Sequence, residues 1–219
     1  MSLSDQINLQ YNRRKDKESL YQVGDYVNNV REELKKTIHL QLKKYYSEFG
    51  DISILEIGAG NGSNAHIFES LGFNLSNIFF NELIEDRIKA IKINFPDNIV
   101  YEGDAIIAPM DKKFDIVFQS TVFSSILNQS DRVNLANRMW SLLNPGGVIL
   151  WYDFIYNNPK NKDVRKVTKK ELKKLFSEAS LFDLKKITLA PPVGRKVKRF
   201  YKLFNVSILR SHILVLIKK

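Results

Sequence analysis

A mostly apolar run that leads straight into three alternating glycines constrains the fold of this chain more than any other feature. The run covers residues 52–57, and Gly58, Gly60 and Gly62 follow it. Apolar runs of this kind are typical of parallel strands that are covered on both faces of a sheet. Glycines after such a strand let the backbone turn sharply and let a ligand come close, because a side chain would fill the ligand's space. The stretch therefore predicts an α/β fold with a nucleotide-binding turn after its first strand.

The spacing of the glycines distinguishes between kinds of nucleotide-binding turn. The dinucleotide fingerprint is G-x-G-x-x-G, in which the third glycine packs the helix against the strand. Residues 58–62 have the pattern G-x-G-x-G, and Glu56 stands two positions before the first glycine. The turn therefore does not match the dinucleotide fingerprint.

Length and composition favour one globular domain. The chain has 219 residues, of which 44% are hydrophobic, and a chain of this size builds one sizeable core. It has no cysteine, which excludes disulfides, thiolate metal ligands and thiol catalysis. Residues 1–20 contain no apolar core typical of a signal peptide, and the most apolar late stretch, residues 213–217, is far too short to span a bilayer. We expect a cytoplasmic protein.

The net charge of +10 is concentrated in the last third of the chain. Residues 160–219 contain 18 of the 34 Lys and Arg residues but only 4 of the 24 Asp and Glu residues. Such a surface suits an anionic membrane, a phosphorylated substrate or a nucleic acid. It also suits a solvated, lysine-rich surface that has no specific partner. Peripheral contact with the inner face of an anionic membrane is therefore one of the expectations that the charge leaves open.

Two more predicted strands end beside an acidic residue. The strand at residues 78–80 is followed by Glu82, and the strand at residues 98–102 is followed by Asp104. An acidic side chain at the carboxyl end of a parallel strand can accept hydrogen bonds from both hydroxyls of a ribose. Glu82 is therefore predicted to bind a ribose. The alternative is a carboxylate that stabilises the first turn of the following helix, a role that its neighbours could fill as well.

The rest of the chain continues the alternation of strands and helices. Two prolines in residues 190–194 are expected to break the regular structure. Ser130 and Asp131 are expected to cap one helix, and Thr168 another through a capping box. Strands are predicted at residues 114–119, 148–154, 184–189 and 213–217, and helices at residues 26–46, 129–143 and 195–204.

Four features, taken in order, resemble the motifs of class I S-adenosylmethionine-dependent methyltransferases. They are the glycine loop with Glu56, the acid Glu82, the turn Gly103-Asp104-Ala105 and the run Leu143-Asn144-Pro145-Gly146-Gly147 before the fifth strand. The resemblance implies a Rossmann-like α/β fold, in which a seven-stranded mixed sheet with an antiparallel last strand carries helices on both faces. It divides the chain into an N-terminal helical cap or lid, residues 1–50, and a methyltransferase domain, residues 51–219.

The resemblance also implies a cofactor, S-adenosyl-L-methionine, at the carboxyl ends of the strands. The glycine loop wraps the methionine and ribose part of this cofactor, and Asp104 and Ala105 contact its adenine. A simple turn is the alternative for Asp104. The implied cofactor-binding residues are Glu56, Gly58, Ala59, Gly60, Gly62, Glu82, Leu83, Asp104, Ala105 and Gln119.

The last third suggests an acceptor. Its short motifs between Tyr152 and Pro192 resemble a bacterial subgroup of these methyltransferases that is associated with surface-polysaccharide biosynthesis, which implies methylation of a sugar hydroxyl in a cell-surface polysaccharide or its precursor. Enzymes that methylate amino groups of DNA bases commonly carry an Asn or Asp-Pro-Pro-aromatic tetrad after the fourth strand. Residues 119–123 read Gln-Ser-Thr-Val-Phe instead, which disfavours a nucleic-acid acceptor. The alternatives are another small metabolite, RNA, and a cofactor-binding scaffold without catalysis.

Methyl transfer requires few catalytic residues. Transfer from a sulfonium is an in-line displacement, so positioning of donor and acceptor supplies much of the catalysis. A sugar hydroxyl also gains from a general base. Asp153 is the predicted base, and a buried structural carboxylate is the alternative. Contacts with the acceptor are predicted for Ser120, Tyr152, Asn157 and Asn158.

Two further predictions concern metals and the N-terminus. The spacing of the acidic residues does not predict a metal site. Tyr11, Arg13 and Arg14 suit either a mobile lid over the cofactor or a disordered tail, and we expect the tail.

Overall fold

The computed structural model describes residues 2–14, 24–158 and 161–219, which form seven strands and eight α-helices joined by short 3₁₀ turns. The strands are β1 (Ile54–Ile57), β2 (Ile78–Glu82), β3 (Val100–Glu102), β4 (Phe114–Ser120), β5 (Leu143–Phe154), β6 (Leu181–Leu189) and β7 (Arg210–Lys218). The helices are α1 (Leu3–Arg14), α2 (Asp25–Leu42), α3 (Ala65–Glu69), α4 (Glu85–Asn94), α5 (Gln129–Ser141), α6 (Lys169–Leu175), α7 (Pro191–Val197) and α8 (Tyr201–Phe204).

All seven strands belong to one sheet, in the order β3-β2-β1-β4-β5-β7-β6. The five strands from β3 to β5 pair in parallel, whereas β7 pairs antiparallel with both β5 and β6. The predicted mixed sheet with an antiparallel last strand is therefore confirmed. Because the first five strands are parallel, their carboxyl ends meet at one edge of the sheet, where α/β proteins place their ligands.

The sheet is covered on both faces because its central strands are apolar on both sides. Successive side chains of a strand point to opposite faces. Leu55 and Trp151 pack with α5 and α6 on one face, whereas Ile54 and Leu150 pack with α2, α3 and α4 on the other. All four residues of β1 are buried, which explains why its sequence is apolar apart from Glu56.

Several element ends differ from the sequence-based prediction. The prolines do end β6, but Pro191 and Pro192 then open α7, since the first turn of a helix needs no backbone N–H from a proline. The predicted cap at Ser130 and Asp131 is wrong: Asn128 is the N-cap of α5, and its side chain accepts a hydrogen bond from the Ser130 N–H. The predicted cap at Thr168 is confirmed, because its side chain accepts from the Glu171 N–H.

The N-terminus also differs from expectation. The expected disordered tail is wrong for residues 3–14, which form α1. In the described part of the chain, no helix is both long enough and apolar enough to cross a membrane.

Candidate active site

The glycine loop leaves one open position on the backbone between β1 and α3. Gly58, Gly60 and Gly62 all have positive φ, at 62°, 62° and 80°. A Cβ on Gly58 would lie 2.6 Å from the side chain of Val122, and one on Gly62 would lie 2.8 Å from Phe95. A Cβ on Gly60 would meet no described atom within 4 Å. Packing therefore requires the outer two glycines, and Gly60 is where a ligand can approach the backbone.

Glu82 holds this loop in place from the end of β2. One oxygen of its buried carboxylate accepts from the Gly60 N–H at 2.7 Å. The other accepts from the N–H groups of Leu83 and Ile84, at 2.7 and 2.9 Å. Hydrogen bonds to a charged acceptor are about twice as strong as neutral ones. The structure thus gives Glu82 a positioning role, and its contact with a ribose stays a prediction.

Glu56 is a buried carboxyl with a free oxygen. Its Oε1 accepts from the Asn64 side chain at 2.7 Å, whereas its Oε2 is buried without a hydrogen-bond partner among the described residues. Burial raises the pKa of Glu56 to about 8; the hydrogen bond from Asn64 opposes this rise, and the charge of Glu82 adds to it. A buried, unsatisfied oxygen of this kind calls for a partner.

These features fit the implied cofactor. S-adenosyl-L-methionine carries positive charge on its sulfonium and amino groups, and a carboxyl with an unpartnered oxygen suits such a ligand. The open backbone at Gly60 leaves room beside it. The residues present therefore match the group that the sequence implies.

The free energy of unfolding should depend on pH because Glu56 ionises at a different pH in the folded and the unfolded protein. Its pKa is about 8 in the folded protein against 4.5 for the ordinary side chain. Between these values the folded protein holds a proton that the unfolded chain has lost, so the free energy of unfolding should fall as the pH rises from about 4.5 to about 8. Asp153, whose pKa burial raises to about 6, contributes in the same direction.

Urea unfolding at pH 5 and pH 8 measures this effect. Because Gln cannot ionise, Glu56→Gln should lose less stability over this range than the natural protein. The exposed Glu48→Gln is the control and should keep the natural slope. Equal slopes for all three proteins would show that the Glu56 carboxyl does not titrate in this window.

The turn after β3 lies beside Glu82. The Gly103 N–H donates to the Glu82 carbonyl at 2.8 Å. Asp104 Oδ1 accepts from the Ile106 N–H at 2.9 Å, and Ala105 is buried. Asp104 therefore closes a turn, the simpler of its two expected roles, and the contacts of Asp104 and Ala105 with adenine stay predictions. The structure does bring this turn, Glu82 and the glycine loop to the same edge of the sheet.

Gln119 shapes the loop that follows β4. Its buried side chain accepts from the Val122 N–H at 2.9 Å and donates to the Tyr152 carbonyl at 3.3 Å. Within this loop Thr121 has a positive φ of 59°, which is unusual for a residue other than glycine. Val122 then packs against Gly58, so the loop after β4 borders the glycine loop. Half-buried Ser120 belongs to this loop.

Asp153 lies behind this edge. Its side chain is fully buried, with Oδ2 accepting from the Ser124 N–H at 3.0 Å and Oδ1 from the Phe154 N–H at 2.8 Å. Burial raises its pKa, and the bonds from Ser124, the Phe154 N–H and the charge of Arg132 oppose the rise. A general base must reach the proton it removes. The geometry therefore favours the structural alternative, in which Asp153 anchors the 3₁₀ turn Phe123–Ser125.

The other predicted acceptor residues are one buried side chain, Tyr152, and two exposed ones, Asn157 and Asn158. The Tyr152 hydroxyl is buried 2.8 Å from Thr188 Oγ1, and its ring stacks on His212 with 4.9 Å between centroids. Exposed Asn157 accepts from the Lys166 N–H at 2.8 Å. Asn158 is exposed beside it. Of these residues, Asn157 and Asn158 are therefore the ones that an acceptor can reach without a rearrangement.

The sequence did not single out the contacts that place α1 over this edge. Gln6 and Gln10 both donate to the Ser125 carbonyl at 3.2 Å. The Arg87 guanidinium, on α4, lies 4.7 Å from the centre of the Tyr11 ring, and Arg13 pairs with Asp163 at 2.9 Å. No sequence spacing could have identified these contacts, because the partners are about 70 to 150 residues apart.

Sequence reasoning also missed Arg132, which is fully buried in α5. It donates to the carbonyls of Ile126, Arg165 and Lys166 and to the carboxylate of Glu171. It therefore joins the loop after β4 to the segment before α6. Among the described residues, no group of three or more His, Cys, Asp or Glu side chains could hold a metal ion.

Solved structures share this architecture. A SAM-dependent methyltransferase from Archaeoglobus fulgidus is 17% identical, covering 84% of this chain and 94% of that one, with a TM-score of 0.57. SAM-bound CalS10, an amino pentose methyltransferase from Micromonospora echinaspora, is 13% identical over 84% and 90%, with a TM-score of 0.57. The glycopeptide N-methyltransferase MtfA, complexed with sinefungin, is 16% identical, covering 84% of this chain and 93% of that one, and its TM-score is also 0.57. At these identities the likeness shows a common fold.

Sequence comparison identifies the family. No curated protein is similar enough to match the chain. The model of the methyltransferase domain family matches residues 26–184, well over half of the chain, and this range includes the glycine loop, Glu82 and Asp104. This chain therefore belongs to the methyltransferase domain family.

Proposed function

We propose that this chain, a methyltransferase with S-adenosyl-L-methionine as its methyl donor, methylates a sugar hydroxyl in a cell-surface polysaccharide or in a precursor of one. The observation that carries the proposal is the chemistry of the two loops that follow β4 and β5, at the edge of the sheet where the glycine loop lies. Residues 119–122 and 155–158 contain hydroxyl and amide side chains and no charged one. Ser120 and Thr121 are half-buried, and Tyr156, Asn157 and Asn158 are exposed. Uncharged hydrogen-bonding groups suit an acceptor that carries many hydroxyls.

The proteins of similar fold support an acceptor of this kind. CalS10 is named for an amino pentose and MtfA for a glycopeptide. Both names describe acceptors that contain carbohydrate. The fold is therefore compatible with acceptors that contain carbohydrate. MtfA is named as an N-methyltransferase, so hydroxyl specificity rests on the loops of this chain.

The residues of this chain contribute mainly by positioning. When bound, the cofactor supplies an electrophilic methyl group on a sulfonium. Glu82 fixes the glycine loop, and Gln119 fixes the neighbouring loop that carries Ser120 and Thr121. Asp153 holds the 3₁₀ turn on which α1 rests through Gln6 and Gln10. Held this way, α1 can exclude water from the edge where donor and acceptor meet, and fixed geometry of this kind lowers the barrier to displacement.

The proposal extends to the layout and location of the protein. Residues 1–50 act as a cap or lid on the methyltransferase domain of residues 51–219, and the contacts of α1 support this role for the first helix. The protein works in the cytoplasm at the inner face of the membrane, with its basic C-terminal third near anionic lipid or phosphate. A precursor sugar joined to a phosphate carrier would match that charge.

Methyl-labelled S-adenosyl-L-methionine tests the acceptor. The purified protein is incubated separately with nucleotide-linked sugars, lipid-diphosphate-linked oligosaccharides, small amines and RNA. The proposal predicts label in a sugar, recovered after acid hydrolysis as an O-methyl ether. Ser120→Ala should raise the KM for that acceptor and leave cofactor affinity unchanged, whereas the exposed, distant Ser76→Ala should change neither. Label found only in RNA or on an amine would overturn the proposal.

A further inference from the structure

The segment between β6 and β7 exposes a cluster of large apolar side chains. Five of them lie within residues 200–208 and are between 42% and 82% exposed: Phe200, Leu203, Phe204, Val206 and Ile208. Other exposed apolar residues, such as Leu40 and Ile93, lie singly on different elements. A contiguous exposed apolar patch marks an interaction surface, whereas scattered residues do not.

The same segment is strongly cationic. Exposed Arg and Lys side chains occupy positions 195, 196, 198, 199 and 202. The chain contains no Asp or Glu from Leu184 to its end. Lys and Arg beside exposed apolar groups are typical of segments that lie in the interface of an anionic bilayer. A nucleic acid would neutralise these charges but would leave the large apolar side chains in water.

Hydrogen bonds attach this segment to α2, β6 and β7 from its inner side. The buried Tyr201 hydroxyl donates to Glu33 Oε2 at 2.8 Å and accepts from the Leu189 N–H at 3.1 Å. Asn205 donates to Glu33 Oε1 at 2.7 Å and accepts from Arg210 at 2.9 Å. These bonds fix the backbone that carries the exposed apolar side chains. Binding therefore requires little ordering of the segment.

The position of the segment relates it to the active site. It joins the end of β6 to the start of β7, and His212 of β7 pairs with Phe154 at the carboxyl end of β5. The segment therefore lies at the edge of the sheet that carries the glycine loop. A partner that binds this segment therefore faces the edge of the sheet where the active site lies.

We propose that residues 195–208, the interfacial segment, dock on an anionic lipid bilayer, with the apolar side chains inserted among the lipids and the cationic ones against the headgroups. Each Lys or Arg near such a surface strengthens binding about fivefold. Docking places the active-site edge next to the membrane. The further inference that a lipid-linked acceptor reaches the active site at the membrane rests on the proposed function. The docking itself does not depend on the identity of the acceptor.

Co-sedimentation with vesicles tests the proposal, without cofactor or acceptor. The protein should sediment with vesicles of phosphatidylglycerol and phosphatidylcholine and stay in solution with phosphatidylcholine alone. Leu203→Glu/Ile208→Glu and, separately, Lys198→Gln/Arg199→Gln/Lys202→Gln should each lower the partition coefficient at least tenfold. The control Ile93→Glu/Ile99→Glu, also at exposed positions, should bind like the natural protein. Circular dichroism and cofactor titration confirm that each variant folds.

A fluorescent probe distinguishes insertion from electrostatic attraction. Phe204→Trp should shift its added emission to shorter wavelength on anionic vesicles, because the indole enters the acyl region. Natural protein that stays in solution with anionic vesicles would overturn the proposal. So would a dimer that Leu203→Glu/Ile208→Glu dissociates while vesicle binding is absent. Vesicle binding with no sugar methylation would leave docking established and reject only the proposed acceptor.

Discussion

Replacing Glu82 with Gln should lower the affinity for S-adenosyl-L-methionine by about 100-fold. The carboxylate accepts from Gly60 with one oxygen and from Leu83 and Ile84 with the other. An amide that keeps the second pair of bonds turns its NH₂ group toward the Gly60 N–H, and two donors repel. A lost hydrogen bond to a charged group costs about 1.5–3 kcal/mol, and about 2.7 kcal/mol corresponds to 100-fold in affinity.

Calorimetric titration of the folded variant measures this loss. The control is Glu85→Gln, which removes the same charge from an exposed side chain that pairs with Lys89, and it should bind the cofactor like the natural protein. Asp153→Ala should lower turnover more than it lowers cofactor affinity. If Glu82→Gln bound S-adenosyl-L-methionine as tightly as the natural protein does, this carboxylate would not position the cofactor loop.

Replacing Arg132 with Met should lower the free energy of unfolding by about 3–5 kcal/mol. Removing one partner of a buried ion pair weakens the compensation of the other charge, and losses of this size are typical. Here the change also leaves the carbonyls of Ile126, Arg165 and Lys166 without their donor. Glu171 keeps its ion pair with Arg165 at 3.1 Å. For a protein of this size the Tm should fall on the order of 10 °C.

Urea unfolding followed by circular dichroism measures the effect against a control on the same helix. Arg138 is half-buried in α5, and its guanidinium donates a hydrogen bond to the Ala108 carbonyl. Arg138→Met should therefore cost only about 1 kcal/mol. If the two variants lost equal stability, the network around Arg132 would not hold the loop after β4 to the segment before α6.

The local parts of this fold could be predicted because local spacing determines them. The strand β1, the glycine loop and the acid at the end of β2 lie within about 30 residues, and each has a physical requirement that only certain residues meet. The N-cap at Thr168 is equally local. The antiparallel direction of β7 was predicted from the family resemblance, because the apolar run of this strand does not indicate its direction.

The contacts that organise the site's surroundings could not be predicted because they are long-range. Gln6 and Gln10 meet a carbonyl at Ser125, and Arg132 meets Glu171, at separations that no periodicity reports. The direction of a side chain was equally hidden. Asp153 stands at the expected strand end, but its carboxylate points to the Ser124 N–H and away from solvent.

The most direct test of the central claim is calorimetric titration of the natural protein with S-adenosyl-L-methionine and, separately, with NAD. The glycine spacing, the open backbone at Gly60 and the unpartnered oxygen of Glu56 predict saturable binding of S-adenosyl-L-methionine and no heat with NAD. Binding of NAD in place of S-adenosyl-L-methionine, or binding of neither, would contradict the assignment of this loop as the methyl-donor site.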